Sequence, residues 1–391
     1  MTSLLSRLQR AGAAFRVADV KASRASPLVA KLYFPGSRNL PRDLTELTRL
    51  GFERNPIVHR AVRMVAEASA SLVWRAYESA DEVPDHPALA LLAQPNGVEA
   101  GPSFIEALTT NLLLFGNAYV EGVMMEGVMR ELWSLRPDRM TIVPGATGWP
   151  AAYDYQVGGE ALRYSMPREG QSPILHLKFF SPLDDHYGFA PLRAAQRAVE
   201  AHQAASDWNS ALLENAARPS GALVYSGPEG VSLSDVQFER LKSELDETFS
   251  GPANAGRPLL LEGGLDWKAL SLTPKDMDFV EAKASAAREI ALAFGVPPLL
   301  LGLPGDNTHA NYQEANRAFW RQTVIPLVAR IQKHFALWLA PSFGPFRFDY
   351  DIDRLDALAD ERAQEWARVN SADFLTQNEK REAVGYGPLA R

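Results

Sequence analysis

The side chains able to do chemistry are few and scattered. The stretch "FGVPPLLLGLPGDNTHANYQEANRAFW", residues 294–320, sets Asp306, Thr308 and His309 on one polar tip between two helical segments. A carboxylate, a hydroxyl and an imidazole are the groups of acid–base and nucleophilic catalysis. Adjacent loop residues rarely converge on one point, however, and a polar tip between helices is ordinarily just solvated. Asp184-Asp185-His186, in "SPLDDHYG", offers the hard oxygen and imidazole donors of a divalent-cation site. The same tripeptide also reads as a turn capping the next helix. The histidines, His59, His86, His176, His186, His202, His309 and His334, never fall within five residues of one another, so no helical zinc pair exists. No cysteine is present, which removes disulfides, thiolate metal sites and cysteine nucleophiles together. There is no G-x-S-x-G elbow and no Walker A loop, and "GLPGDNTHANY" lacks the setting of a phosphate cradle.

The elements that must position these residues follow from periodicity. "NPIVHRAVRMVAEASASLVWRAYE" opens on Asn55 as an N-cap with proline in the first turn, and Val58, Val62, Val65 and Ala68 share a helical face. Its end, Leu72–Tyr77, is strand-like. "GPSFIEALTTNLLLFGNAYVEGV" predicts a helix from Ser103 with Glu106 closing a capping box, then Gly116 and a strand. Residues 117–180 alternate in short β-type runs divided by Pro and Gly, which indicates an α+β domain with a largely antiparallel sheet.

The pattern then turns helical. A helix of nearly thirty residues is expected over 190–218, followed by a compact β-α-β-β insert at 219–274 and a second helix to 302, with Phe279, Ala282, Ala286, Ile290 and Ala293 on one face. Beyond the polar tip a third long helix, about Asn311–Leu339, contains Pro326, which predicts a kink or break near Gln322. A strand, "FRFDYDID", and a charged helical tail close the chain.

Composition bounds the function. The chain has 391 residues, enough for two or three domains, with ordinary apolar (46%) and charged (22%) fractions. No apolar run approaches the roughly 20 residues of a membrane helix, and the N-terminus lacks a secretory h-region. The net charge is −7, yet residues 1–60 hold 11 Lys/Arg against 4 Asp/Glu. The first 49 residues read as a basic, Pro/Gly-punctuated arm of little periodicity. The acidity of the remainder argues against a sequence-reading DNA binder, because such affinity grows with neutralised phosphates. It does not exclude a surface past which DNA slides.

The order long helix, small insert, long helix, proline-bounded loop, long kinked helix resembles the portal proteins of tailed bacteriophages. "YGFAPLRAAQRAV", "ENAARPSGAL", "GRPLLLEGGLDWKALSLTPKDMDFVEAKASAAREIALAFGVPPLLLG" and "NYQEANRAFWRQTVIPLVARIQ" carry the likeness, which covers roughly residues 50–390. It is to the long-tailed-phage type, shared with gene transfer agents.

The resemblance implies a basic arm (1–49), a wing (50–189, with the strand in 311–353), stem helices (190–218 and 275–302), a clip (219–274), a tunnel loop (303–310) and a crown (354–391). It further implies a dodecameric ring at one capsid vertex, with double-stranded DNA passing non-specifically through it. Implied partners are the terminase large subunit, the head–tail adaptor protein and the major capsid protein, with no cofactor, metal, membrane or catalytic activity. Localisation would be the virion, and the host cytoplasm during assembly. Pro304, Gly305, Asp306, Asn307, Thr308 and His309 would line the channel. Asn307, Thr308 and a neutral His309 can touch phosphate without a permanent charge. Trp208, Leu212, Phe279 and Ile290 would pack stem against stem, since an apolar helical stripe needs a lateral partner. Asp235, Glu239, Lys242 and Asp246 would face protein partners in the acidic clip, which has 4 Lys/Arg against 8 Asp/Glu over 219–274. A soluble intracellular α+β hydrolase using His186 or His309, or another ring-shaped connector component, are the alternative readings.

Overall fold

The computed structural model describes residues 44–391 apart from 80, 147, 168–169, 215–220, 226–235, 237–239, 241–264, 270–278, 305–307, 388 and 390–391. The chain divides into two compact units, Met1–Ala194 with Ala291–Arg391, and Ala195–Ile290. In chain order the described elements of the first unit begin with α1 (Leu44–Thr48), a π-turn at Arg49–Glu53, α2 (Pro56–Ser71), β1 (Trp74–Glu78), β2 (Asp81–Glu82), α3 (Pro87–Ala93) and α4 (Gly101–Phe115). Strands β3 (Asn117–Met125), β4 (Val128–Leu135), β5 (Met140–Pro144), β6 (Pro150–Val157), β7 (Glu160–Ser165) and β8 (Ile174–Lys178) follow, then the short α5 (Pro191–Ala194). The second unit holds α6 (Gln196–Glu214), β9 (Gly221–Tyr225), β10 (Leu265–Ala269) and most of α7 (Phe279–Ala293). The chain closes with α8 (His309–Phe319), α9 (Ile325–Phe343), β11 (Arg347–Tyr350), α10 (Ala359–Asn370) and α11 (Gln377–Ala383).

The sheets are small and antiparallel, ordered β11-β1-β2, β4-β3-β8, β5-β6-β7 and β10-β9. The α+β class expected from alternation is therefore what forms. Asn55 caps α2 as its position before Pro56 predicts, its Oδ1 accepting from the Ile57 and Val58 amides at 3.0 and 3.3 Å. The capping box at Ser103–Glu106 does not form. α4 starts two residues earlier, at Gly101, with Ala100 as an N-cap that has no side-chain bond. Two local facts explain the shift. Pro102 suits the first turn, where no amide donor is needed, and Gly101 lies so close to α3 that a Cβ would sit 2.4 Å from the Leu92 carbonyl oxygen.

The expected helix of nearly thirty residues is interrupted. A turn at Ala195 separates α5 from α6. The third long helix keeps its length by a different device from a break. A π-turn at Trp320–Val324 spans Gln322, and the Ile325 amide reaches back five residues to the Trp320 carbonyl. Pro326, which has no donor, follows immediately.

The core of the first unit is built where this late helix returns to the early sheets. Val328, Ile331, Phe335 and Leu339 of α9 are fully buried, four residues on one stripe. Phe335 meets the rings of Phe104 and Trp74 edge-on at 6.2 Å each. Polar bonds fix the register. The Trp338 indole donates to the Ser172 carbonyl (2.8 Å), the Gln171 amide donates to the Trp338 carbonyl (2.8 Å), and the Ser342 hydroxyl donates to Gln171 Oε1 (2.8 Å). The Met129 amide donates in turn to Ser342 Oγ at 3.3 Å. Gly122 makes this docking possible, since a Cβ there would lie 2.8 Å from the Trp338 ring and 2.4 Å from the Met129 sulfur.

Gly122→Val should therefore overpack the joint and destabilise the protein by about 1–3 kcal/mol. Ser342→Ala should cost about 1 kcal/mol. Urea midpoints measured by tryptophan fluorescence check both, and an unchanged midpoint for Gly122→Val would contradict the close approach.

Candidate functional site

The polar tip is held between two well-defined ends. On the incoming side α7 stops at Gly295, whose φ of +66° gives a left-handed cap, with the Val296 amide bonded to the Ala291 carbonyl at 2.9 Å. The Thr323 hydroxyl, inside the π-turn, donates to the Gly295 carbonyl at 2.6 Å, and any Cβ on Gly295 would collide with it. The segment "FGVPP" is thereby docked on the helix that follows the tip. Pro298–Leu301 forms one 3-10 turn, closed by Gly302 at φ +72°.

On the outgoing side Thr308 is the N-cap of α8, its hydroxyl accepting from the Asn311 amide at 3.2 Å. His309 thus belongs to the first helical turn, not to a loop. It is exposed, as is every residue from Thr308 to Glu314, on all sides of the helix. Pro304 is also exposed. Gly305, Asp306 and Asn307 lie outside the described residues. Asp306, Thr308 and His309 are therefore not brought together as a catalytic group by anything described. A helix exposed all round for nearly two turns gains no burial from its own chain. Further along, Arg317 of α8 and Arg321 of the π-turn both reach Glu361, at 3.2 and 3.1 Å, and tie this stretch to α10.

Asp184-Asp185-His186 is a turn. Asp184 Oδ1 accepts from the backbone amides of His186 and Tyr187 at 2.9 and 3.0 Å, and the Lys178 ammonium donates to the Asp185 carbonyl. Beside it lies a joint that the sequence reading missed. Gly116 and Gly188 cross so closely that a Cβ on either would meet the other's carbonyl oxygen at 2.5 Å or less. Asn117 bridges the crossing. Its Nδ2 donates to the Phe115 carbonyl (2.8 Å) and its Oδ1 accepts from the Gly188 amide (2.8 Å).

Because backbone donors and acceptors have fixed roles, they set the orientation of the Asn117 amide. Asn117 Oδ1 then requires the proton of His176 on Nε2, at 3.0 Å. The His176 ring stacks on Tyr119 at 4.4 Å. Burial, helped by the nearby charge of Lys178, pushes its pKa down to about 3. The one clue in the sequence was an Asn directly after a helix-ending glycine.

The phage portal protein family matches residues 56–385. The chain belongs to that family. A subunit of the neck of a native gene transfer agent particle, computed with C12 symmetry, is 48% identical, covers 94% of this chain and 100% of its own, and superposes with a TM-score of 0.69. A Rickettsia bellii protein is 42% identical over 85% of this chain and 87% of its own length. The portal protein of Enterobacteria phage HK97 is 27% identical over 75% of this chain and 68% of its own. This is a portal protein of the phage and gene-transfer-agent head–tail connector, and its mixed helix and small-sheet architecture is the portal fold.

The remaining expected portal residues fall out as follows. On α6 the buried stripe is Ala198, Val199, His202 and Ala205, while Trp208 is only half-buried. Burial and then Lys283 lower the His202 pKa, which keeps this buried imidazole neutral. On α7, Ala286, Ala287 and Ile290 are buried, with Ile290 fully so within the single chain. Among the described residues of α7, the large apolar side chains left exposed are Val280 and Leu292. Leu212 and Phe279 have helical backbones, but their side chains are outside the described set, as are Asp235, Glu239, Lys242 and Asp246 entirely. Among the described residues no group of three or more His, Asp or Glu side chains is placed to hold a metal ion, and no helix is long and apolar enough to cross a membrane.

His176 makes the Gly116–Gly188 joint acid-sensitive. Its folded pKa lies below the unfolded value, so the unfolded chain takes up the proton first. The stability is complete above about pH 6.5 and is lost as pH falls toward 3, by at most about 1.4 kcal/mol per pH unit. Unfolding midpoints at pH 7, 5.5 and 4.5 should fall for the wild type. They should fall less steeply for His176→Gln, which cannot titrate; parallel curves would show that another group sets the acid limit.

Proposed function

We propose that twelve copies of this chain form a ring at one capsid vertex, through which double-stranded DNA is packaged and later ejected. The likeness at 48% identity to a subunit of a twelve-fold neck, over nearly the whole of both chains, carries this reading. The physics of the single chain supports it. Residues 309–314 of α8 are exposed on every side, and Val280 and Leu292 stand exposed on α7. A closed cyclic assembly supplies covering neighbours to such surfaces without leaving an open end. The channel constriction is the tip from Pro304 to His309. It presents polar groups rather than a ring of cations, because each strong phosphate contact would act as a brake on sliding DNA.

The acidic segment 219–274 meets protein partners, the terminase large subunit during packaging and the head–tail adaptor afterwards, and the wing meets the major capsid protein. The assembled site is the virion portal vertex, reached from the host cytoplasm. In this role the chain acts as a structural conduit, with no bond made or broken by its own side chains.

Native mass spectrometry of the purified chain, with negative-stain images of the same sample, tests the ring. The expected species is close to twelve copies with a central hole. A compact monomer that binds a small ligand and stays monomeric beside capsid and scaffold proteins would overturn it. Removing Gly305–Asn307 while keeping the Thr308 cap should leave rings intact and alter the DNA retained per particle. Unchanged DNA content would reduce the tip to a connector.

A further inference from the structure

His86 is a buried titratable side chain that plays no part in the conduit described above. It is 2% exposed, and its ring lies tilted against Phe346 at 4.4 Å and edge-on to Phe343 at 6.3 Å. Those phenylalanines flank Gly344, whose φ of +82° turns the chain from α9 toward β11. The imidazole also caps α3. In the first turn of that helix Pro87 has no amide hydrogen, and the Leu89 and Ala90 amides reach the His86 carbonyl at 2.9 and 3.5 Å. The Ala88 amide remains, and it donates to His86 Nδ1 at 3.2 Å.

A nitrogen that accepts carries no hydrogen, so the ring is neutral, with its hydrogen on Nε2 facing Glu78 Oε1 at 3.7 Å. Ser, Thr, Asp and Asn are the usual caps. Unlike Ser, Thr or Asn, histidine titrates near neutrality. Protonation would set an Nδ1 hydrogen against the Ala88 N–H, two donors facing each other. The new charge would stand at the positive end of a helix, between two phenyl rings and out of water. Glu78 favours the charged ring, but it is half-exposed, and burial outweighs it and lowers the His86 pKa. The other charged groups nearby are engaged or distant. Arg75 of β1 pairs with Glu82 and Asp351, and Arg347, next to Phe346, turns to Asp349 and the Tyr77 ring. Asp81 and Asp85 are exposed, and α3 carries no charge. Arg330, Lys333 and His334 of α9 lie more than two turns before Phe343.

We propose that His86 is a proton-operated latch: the neutral ring pins the start of α3 to the corner between α9 and β11, and protonation releases that corner. The folded pKa lies below the unfolded value, so the latch is fully closed above about pH 6.5 and opens as pH falls through the folded value. The release is local, because the bonds of Trp338, Gln171 and Ser342 hold α9 without the ring. The inference concerns the single chain and does not depend on ring formation.

Hydrogen exchange of the full-length chain at pH 7.5 and 4.5, corrected for intrinsic rates, tests the latch. Protection of the Ala88 amide, taken relative to Leu112 inside α4, should fall at least about fivefold between the two conditions. In His86→Asn, whose side-chain carbonyl caps without titrating, the same ratio should change by less than about twofold. His86→Ala should show the low, acid-like ratio at both pH values. A wild-type ratio that holds at pH 4.5, or an Asn variant that falls in parallel with the wild type, overturns the proposal. The wild-type comparison needs no substitution, so a variant that fails to fold leaves the test standing.

Discussion

The docking of one late helix on early sheets is the constraint from which the first unit follows. Trp338, Gln171, Ser172 and Ser342 exchange hydrogen bonds across more than 160 residues of sequence. Contacts so remote bear the entropy of closing a long loop, so they hold only where burial is extensive. The fully buried stripe from Val328 to Leu339 supplies that burial, and each large apolar side chain taken from water contributes about 1.5–3 kcal/mol. The polar bonds contribute less energy but more definition. A helix held only by an apolar stripe could slide by a turn, whereas an indole bonded to one particular carbonyl cannot. Gly122 shows how tight the fit is, because the sheet surrenders a side chain there to admit an aromatic ring.

The same logic of close approach recurs at the two ends of the chain's central excursion. Gly116 and Gly188 cross shortly before the chain enters α5, and Gly295 touches Thr323 where α7 ends. Each crossing is locked by a side chain that reads backbone groups, Asn117 in one and Thr323 in the other. A portal must hold its helices in a fixed attitude while DNA moves past. Joints made from backbone contacts serve that need better than joints made from long flexible side chains, which lose more conformational entropy when fixed.

Much of this was legible in the chain itself. Local rules worked where local chemistry decides: the Asn55-Pro56 start, the helix end at Gly116, and the strand after Leu72. They failed where tertiary packing decides. Ser103 and Glu106 look like a capping box, yet the helix begins at Gly101 because α3 lies against it. Ile290 sits on an apolar stripe, but a stripe does not say whether its cover comes from the same chain or another. Pro326 announced a disturbance near Gln322 without revealing that an extra residue, rather than a break, would absorb it. His176 could not be singled out, because its role depends on Asn117 and Tyr119 being beside it in space.

The surplus residue in the π-turn at Trp320–Val324 has a geometric consequence for the helix that follows the tip. One residue of α-helix corresponds to a rotation of about 100°. Across the bulge the angular phase of the helix is reset by that amount, so α8 and α9 do not read as one continuous face. The stripe that anchors Phe335 therefore does not dictate which way His309 and Tyr312 look. The two halves are therefore free to answer to different neighbours, α9 to the core and α8 to others.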